Sequence, residues 1–266
     1  MSSLTVSLVQ TNLSWGDKAA NLQMLEEKIR GIAERTELVV LPEMFSTGFN
    51  MDAEGLAETM DGYSVEWMKK LSIEKRVILT GSLIIREGED YFNRLIWMLP
   101  NGESGHYDKR HCFSFAGEDE HYTPGERRFI ASVKGWRINC CICYDLRFPV
   151  WSRQNFSPQM VSPAAEYDIL LYVANWPERR SLAWKTLLRA RAIENQCYVI
   201  GVNRVGEDGN GIYHSGDSMV IDPLGEILYE KAHAEEIHTI QLDKENLLQA
   251  RDKFRFWEDA DRFVIV

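Results

Sequence analysis

Cys141-Ile142-Cys143-Tyr144-Asp145-Leu146-Arg147-Phe148-Pro149 closes an apolar, β-prone stretch that begins at Trp136. A buried strand that gives way to polar residues and a proline presents its last side chain at the rim of a sheet. The side chain presented here is the thiol of Cys143. Two further segments share the design. Leu38-Val39-Val40-Leu41-Pro42-Glu43 stops at a carboxylate, and Tyr107-Asp108-Lys109-Arg110-His111 places a cation just past a strand and a turn. One nucleophile, one acid/base and one fixed cation, each at or past a strand end, form a catalytic constellation.

Outward from these segments, strand and helix signals alternate to both ends of the chain. Residues 4–11 alternate as a strand. Residues 21–35 carry Leu22, Leu25, Ile29 and Ile32 at spacings of three and four, the pattern of an amphipathic helix. Residues 38–41 read as a continuous apolar strand. A helical stretch around Trp67, Met68 and Leu71 precedes strands at 77–85 and 93–99, and Pro100-Asn101-Gly102 turns into another short strand. Residues 129–133 and 136–143 flank the hairpin signal Lys134-Gly135. The second half repeats the scheme. A strand at 167–174 leads to a helix at 181–196 with Trp184, Leu187, Leu188 and Ile193 on one side. A strand at 198–205, a Gly/Asp/Asn-rich loop at 206–211 and a hairpin of 217–222 with 226–230 follow, then a strand at 236–242 and a short helix. Ten or more strands with few long helices predict two sheets covered by helices, in one α/β domain over residues 1–266.

Composition narrows the function classes. A formal charge of −10, from 40 acidic against 30 basic residues, argues against a nucleic-acid partner. An anionic substrate would need a local positive pocket set against that overall field. No apolar run approaches the roughly 18–20 residues of a membrane span, and Met1-Ser2-Ser3-Leu4 lacks the regions of a signal peptide. A cytoplasmic protein with no membrane partner is expected. The five cysteines, Cys112, Cys140, Cys141, Cys143 and Cys197, are odd in number with three crowded together, unlike a disulfide framework. Cys140 and Cys143 have the spacing of a metal or redox half-site, but no second pair accompanies them, so no metal or organic cofactor is expected. The other four cysteines read as small buried hydrophobes, with Cys141 and Cys143 on one strand face and Cys140 on the other.

A cysteine attacks as thiolate, so it needs a neighbouring base or cation. None of the six histidines lies in a cysteine-protease context. A carboxylate can take the proton instead, and Glu43 is suitably presented. Charge developing on a substrate carbonyl oxygen needs fixed donors, which Lys109 and the backbone N–H of Tyr144 can supply. One such donor is worth about 2.7–4 kcal/mol. Each residue also has an ordinary reading, since a lone Glu after Leu-Pro is usually solvated and Lys109-Arg110 is usually surface charge.

Leu41-Pro42-Glu43-Met44-Phe45 with Gly48-Phe49, then Lys109-Arg110-His111, then Cys143 to Pro149, resemble in order the three signature regions of the nitrilase (carbon–nitrogen hydrolase) superfamily. Gln10, Ala190-Arg191-Ala192-Ile193-Glu194-Asn195 and Gly216-Asp217-Ser218 before Asp222-Pro223-Leu224-Gly225 extend the resemblance over essentially the whole chain. It implies a four-layer αββα sandwich and a triad of Glu43 as general base, Lys109 beside the tetrahedral intermediate and Cys143 as nucleophile. A thioester forms with loss of ammonia or an amine, and water then hydrolyses it with Glu43 reused. A second family glutamate, placed by its spacing to Pro124-Gly125, is Glu118, with Glu120 the near alternative. The resemblance also implies a homodimer, with Phe254-Arg255-Phe256-Trp257 either at the interface or folded back on its own chain.

Within the superfamily, residues 143–153, 172–180 and 183–188 are similar to bacterial ω-amidases, which release ammonia from the terminal amide of 2-oxoglutaramate or 2-oxosuccinamate. The implied partner is a small-molecule amide substrate carrying a carboxylate at its far end. Arg147, Arg179 and Arg180 are the available cations, and Tyr144, Asn175, Trp176 and Phe49 are candidate pocket residues. Arg147 could equally hold a structural ion pair, and the aromatics could equally be packing. A deaminated-glutathione amidase or an N-carbamoyl amide hydrolase would use the same triad.

Overall fold

In the computed structural model, which describes residues 3–154, 156–157, 164–261 and 263–265, the alternating segments become two mixed sheets packed face to face. The first has six strands in the order Glu236–Asp243, Ser3–Gln10, Leu38–Val40, Ile78–Glu87, Asp90–Met98 and Ser104–Asp108. Its middle three run parallel and its outer pairings are antiparallel. The second runs Val205–Glu207, Tyr213–Ile221, Tyr198–Asn203, Ile169–Ala174, Trp136–Ile142 and Phe129–Val133, with Ile227–Ala232 beside Tyr213–Ile221. Ile169–Ala174 lies at its centre, parallel to both neighbours.

Residue parity assigns the layers, because successive strand side chains point to opposite faces. Leu4, Val6, Leu8, Leu38, Val40, Leu95 and Trp97 join the core between the sheets. Val9, Val39, Ile96 and Met98 face outward, where Leu22, Leu25 and Ile29 of the helix Lys18–Arg30 and Val65, Met68 and Leu71 of the helix Tyr63–Lys75 cover them. On the far side, Trp184 and Leu188 of the helix Ser181–Asn195 and Leu247 of the helix Lys244–Lys253 close the second sheet. Helices therefore cover both outer faces, giving the αββα order that the resemblance implied.

Some boundaries differ from the sequence reading, each for a local reason. The first helix starts at Lys18, where the Asp17 carboxylate accepts from the Ala20 N–H at 3.0 Å, and stops at Arg30 before Gly31. The buried stripe of Ser181–Asn195 is Trp184, Leu188, Arg191, Ala192 and Asn195. Ile193 falls outside it and is 50% exposed, lying against Gly225 instead. Gly206 and Glu207, expected in a loop, pair as a strand with His214 and Tyr213. The turn is tighter than composition suggests, because the Asp208 carboxylate accepts from the N–H groups of both Asn210 and Ile212.

Gln10 joins the two sheets at the end of the first strand. Its side-chain amide donates to the carbonyls of Lys231 (3.2 Å) and Ala234 (2.8 Å), and its oxygen accepts from the Ser218 N–H at 3.0 Å. Gly216 permits this approach, since a Cβ there would lie 2.3 Å from Gln10 Cδ. Gln10→Leu removes three hydrogen bonds to backbone groups, one of them from the buried N–H of Ser218. It is expected to lower stability by about 1–3 kcal/mol, read as a shifted urea midpoint at unchanged slope.

Candidate active site

Glu43 lies three residues beyond the strand Leu38–Val40, on a turn pinned to the neighbouring strand. Leu41 N–H donates to the Thr80 carbonyl (2.7 Å), Phe45 N–H to the Ser82 carbonyl (3.1 Å) and Met44 N–H to Ser82 Oγ (2.8 Å). Gly81 makes room, because a Cβ there would stand 2.8 Å from both Leu41 Cβ and Phe45 Cδ1. The Glu43 carboxylate is fully buried and every contact it makes is specific. Oε1 accepts from Lys109 Nζ and from Asn93 Nδ2, both at 2.8 Å, and Oε2 accepts from the Asn175 N–H at 2.8 Å.

Lys109 follows directly on the edge strand Ser104–Asp108. Its N–H donates to the Asn93 carbonyl (3.0 Å) and its carbonyl accepts from the Gly125 N–H (2.8 Å). That contact requires glycine, since a Cβ at 125 would fall 2.1 Å from the Asp108 carbonyl oxygen. The buried ammonium also reaches Glu118, at 2.9 and 2.8 Å from its two oxygens. Glu118 is buried in a short 3-10 turn and accepts a further bond from the Phe113 N–H at 2.5 Å. Glu120, the alternative by spacing, is exposed on the same turn.

Burial works to lower the Lys109 pKa, but Glu118 and then Glu43 outweigh it, so the ammonium is held above the usual lysine range. Glu118 is pushed up, first by burial and further by Glu43, against the opposing pull of Lys109.

Cys143 is not the last residue of a strand, as expected, but the first of a 3-10 turn, Cys143–Arg147. The strand stops at Ile142, so the face-sharing argument for Cys141 and Cys143 lapses at that step. Cys143 has φ 44°, the left-handed region, which costs a non-glycine residue about 1–2 kcal/mol. Buried Asp145 braces the turn. One carboxylate oxygen accepts from the Ile142 N–H (3.0 Å) and Tyr107 Oη (2.8 Å), the other from the His111 N–H (3.0 Å) with His111 Nδ1 at 2.8 Å. Asp145 thus ties the Cys143 turn to the segment that follows Lys109. Burial, then the Glu43 charge, holds the Cys143 thiol well above the ordinary thiol range. At rest it is a neutral thiol beside a carboxylate. Cys140, Cys141 and Cys197 are buried as expected, whereas Cys112 is only half-buried.

Lys109 and Cys143 line a cavity of about 840 Å³ together with all five candidate pocket residues, Phe49, Tyr144, Arg147, Asn175 and Trp176. Their surroundings differ. The Phe49 ring lies 5.1 Å from Lys109 Nζ. Tyr144 packs edge-on against Phe113 and Phe148. Asn175 donates through Nδ2 to the Glu43 carbonyl at 2.5 Å, while its buried Oδ1 has no partner among the described residues. Trp176 is nearly buried, its indole N–H donating to the Arg180 carbonyl at 2.8 Å. Exposed Arg147 forms no described ion pair and lies 5.0 Å over the Trp176 ring. Among the described residues no cluster of three or more His, Cys, Asp or Glu side chains could hold a metal ion.

Sequence reading missed Asn93 and Asp145. Asp145 sits inside the quoted motif, and its burial among four donors shows only in three dimensions. Asn93 left one signal, a lone amide at the head of an apolar strand. Its Nδ2 bridges Glu43 Oε1 (2.8 Å) and Glu118 Oε1 (3.2 Å). Asn93→Leu removes a donor shared by two carboxylates. A hydrogen bond to a charged group is worth about 1.5–3 kcal/mol, so kcat is expected to fall about 10- to 100-fold. The measurement is steady-state turnover beside a circular dichroism spectrum that matches wild type.

Comparison with known proteins agrees with this geometry. A carbon-nitrogen hydrolase family model matches residues 5–252. The omega-amidase YafV of Escherichia coli K12 is 44% identical over 99% of both chains. The 2-oxoglutaramate amidase of Bacillus subtilis strain 168 is 30% identical over 96% of both. Among solved structures, XC1258 of Xanthomonas campestris, a CN-hydrolase superfamily protein with an arsenic adduct in its active site, superposes with a TM-score of 0.97 at 43% identity over the full length of both chains. The protein belongs to the carbon–nitrogen hydrolase family.

Proposed function

We propose that the protein is an ω-amidase, hydrolysing the terminal amide of 2-oxoglutaramate or 2-oxosuccinamate to the 2-oxo acid and ammonia. The observation that carries this reading is the buried cluster of Glu43, Lys109 and Glu118 with Cys143, of which Lys109 and Cys143 line the cavity, in a chain 44% identical to an omega-amidase.

Glu43 takes the thiol proton as Cys143 Sγ bonds to the amide carbon. The carbonyl oxygen becomes an oxyanion, for which the Lys109 ammonium and the Tyr144 N–H are the donors. Glu43 returns the proton to nitrogen, the carbon–nitrogen bond breaks, and ammonia leaves a thioester on Cys143. Water then attacks while Glu43 accepts its proton, and collapse of the second intermediate releases the carboxylate and restores the thiol. Glu118 keeps Lys109 charged and in place, and the unpartnered Asn175 Oδ1 is an acceptor for the substrate amide.

The remaining parts of the reading are a single domain, a cytoplasmic setting and a homodimer. No helix among the described residues is long and apolar enough to cross a membrane. Leu182, Leu224, Leu248 and Phe256 are exposed apolar side chains toward the C-terminal half and suit a subunit interface.

Ammonia release from 2-oxoglutaramate by purified protein is the direct test. Cys143→Ala is expected to abolish it, and Glu43→Gln to lower it by about 10²–10⁴-fold, the range for lost acid–base catalysis. A folded wild type that releases no ammonia from this amide refutes the substrate. In sedimentation equilibrium the wild type is expected as a dimer that Phe256→Asp weakens. A monomeric wild type refutes the assembly.

A further inference from the structure

Among the described residues, the other guanidinium groups withdrawn from water each have at least one oxygen partner, as four of them illustrate. Arg94 is paired with Asp108 and Glu87, and Arg251 with Asp168. Arg191 reaches Glu194 and the Leu146 carbonyl, and Arg204 reaches Asn12 Oδ1 and the carbonyls of Leu13 and Glu207. Arg180 departs from this pattern. It is half-buried and lines the catalytic cavity, yet its guanidinium has no carboxylate or carbonyl partner among the described residues. It faces only the Phe113 ring, 5.0 Å away.

The main chain beneath it is fixed. Arg180 caps the helix Ser181–Asn195, and its carbonyl accepts the Trp176 indole N–H at 2.8 Å. Trp176 in turn packs 5.5 Å from Trp184 of the same helix. The other two cavity arginines, Arg147 and Arg179, are exposed. An ion pair formed where water is partly excluded is stronger than one at the rim. Burial, then the neighbouring Arg179 charge, holds the Arg180 pKa below the usual arginine range, a direction that an incoming carboxylate reverses.

The geometry points to Arg180 as the specificity-determining residue of the cavity, binding the substrate carboxylate remote from the scissile amide. Arg147 and Arg179 add weaker attraction at the rim. The assignment rests on the amidase reading of the same cavity and identifies which of three arginines selects the anion. The substrate class that follows is a short amide with a carboxylate at its other end.

Succinamate and butyramide test this, since they share chain length and amide and differ only in the terminal carboxylate. The readout is the ratio of their kcat/KM values, in which butyramide reports the state of the catalytic groups within each variant. The wild-type ratio is expected to favour succinamate by at least about 100-fold. Arg180→Gln is expected to cut the ratio by about 10- to 100-fold, mainly through the KM for succinamate. Arg180→Lys should restore part of it, and Arg147→Gln should change it by less than Arg180→Gln does. An unaltered ratio in both Arg180 variants, or a larger loss in Arg147→Gln, overturns the assignment while leaving the amidase reading intact. A wild type that releases ammonia from amides without preferring the anion also overturns the assignment. Ammonia release from no amide at all overturns the amidase reading and the assignment together.

Discussion

The rest of the structure is arranged around one ammonium ion shared by two carboxylates. Lys109 lies at 2.8 Å from both Glu43 and Glu118, and all three side chains are removed from water. Two buried carboxylates side by side repel each other and lose hydration. Removing one partner of such a cluster costs about 3–5 kcal/mol, because an uncompensated charge stays buried. Here Asn93 Nδ2 and the N–H groups of Asn175 and Phe113 supply the further donors that hold the carboxylates. Glu43, Lys109 and Asn93 come from the first sheet, Asn175 from the end of the central strand of the second. The hydrogen bond from Asn175 to Glu43 is therefore both a site contact and a joint between layers. Packing of the two sheets sets the geometry of this cluster directly.

That arrangement explains why the thiol rests in its neutral form. Many reactive cysteines are activated by a lowered pKa beside a cation. Lys109 is close to Cys143, but its charge is already shared by two carboxylates, and burial with the Glu43 charge pushes the thiol up. In the proposed mechanism nucleophilicity appears only when Glu43 removes the proton as the sulfur attacks. Geometry carries the load that a low pKa carries elsewhere. The positive φ at Cys143, braced by the four contacts of Asp145, is consistent with that demand.

Strand-end positions were legible because a buried strand must change character abruptly where it leaves the core. This is why Glu43, Lys109 and Cys143 stood out, although Cys143 belongs to the turn and not to the strand. Glu118 was reachable only through family spacing, since an acidic run such as Glu118-Asp119-Glu120 carries no signal of which carboxylate turns inward. Asn93 was hidden for the opposite reason: one amide in a strand resembles a half-exposed edge position until its partners are known. Ile193 was misplaced because Leu187, Leu188 and Ile193 do not share one stripe of a 3.6-residue helix. Gly206 was misplaced because glycine beside Asp and Asn reads as a loop, whereas its positive φ permits close approach to Asn12 within a paired strand.

The electrostatics of the cavity run against those of the molecule. A chain of formal charge −10 repels anions at a distance, yet three arginines without acidic partners among the described residues line this one opening. Asp208, the carboxylate on the same lining, accepts from two N–H groups of its own turn, which holds it in place. A low-dielectric wall of aromatic rings focuses the arginine field into the space above Cys143. Salt screens charges over about 10 Å at 0.1 M, so the distant acidic surface fades while contact with Arg180 persists. Selection of an anionic amide is thus a short-range property. It requires only that one guanidinium be withdrawn from solvent and left for the substrate to complete.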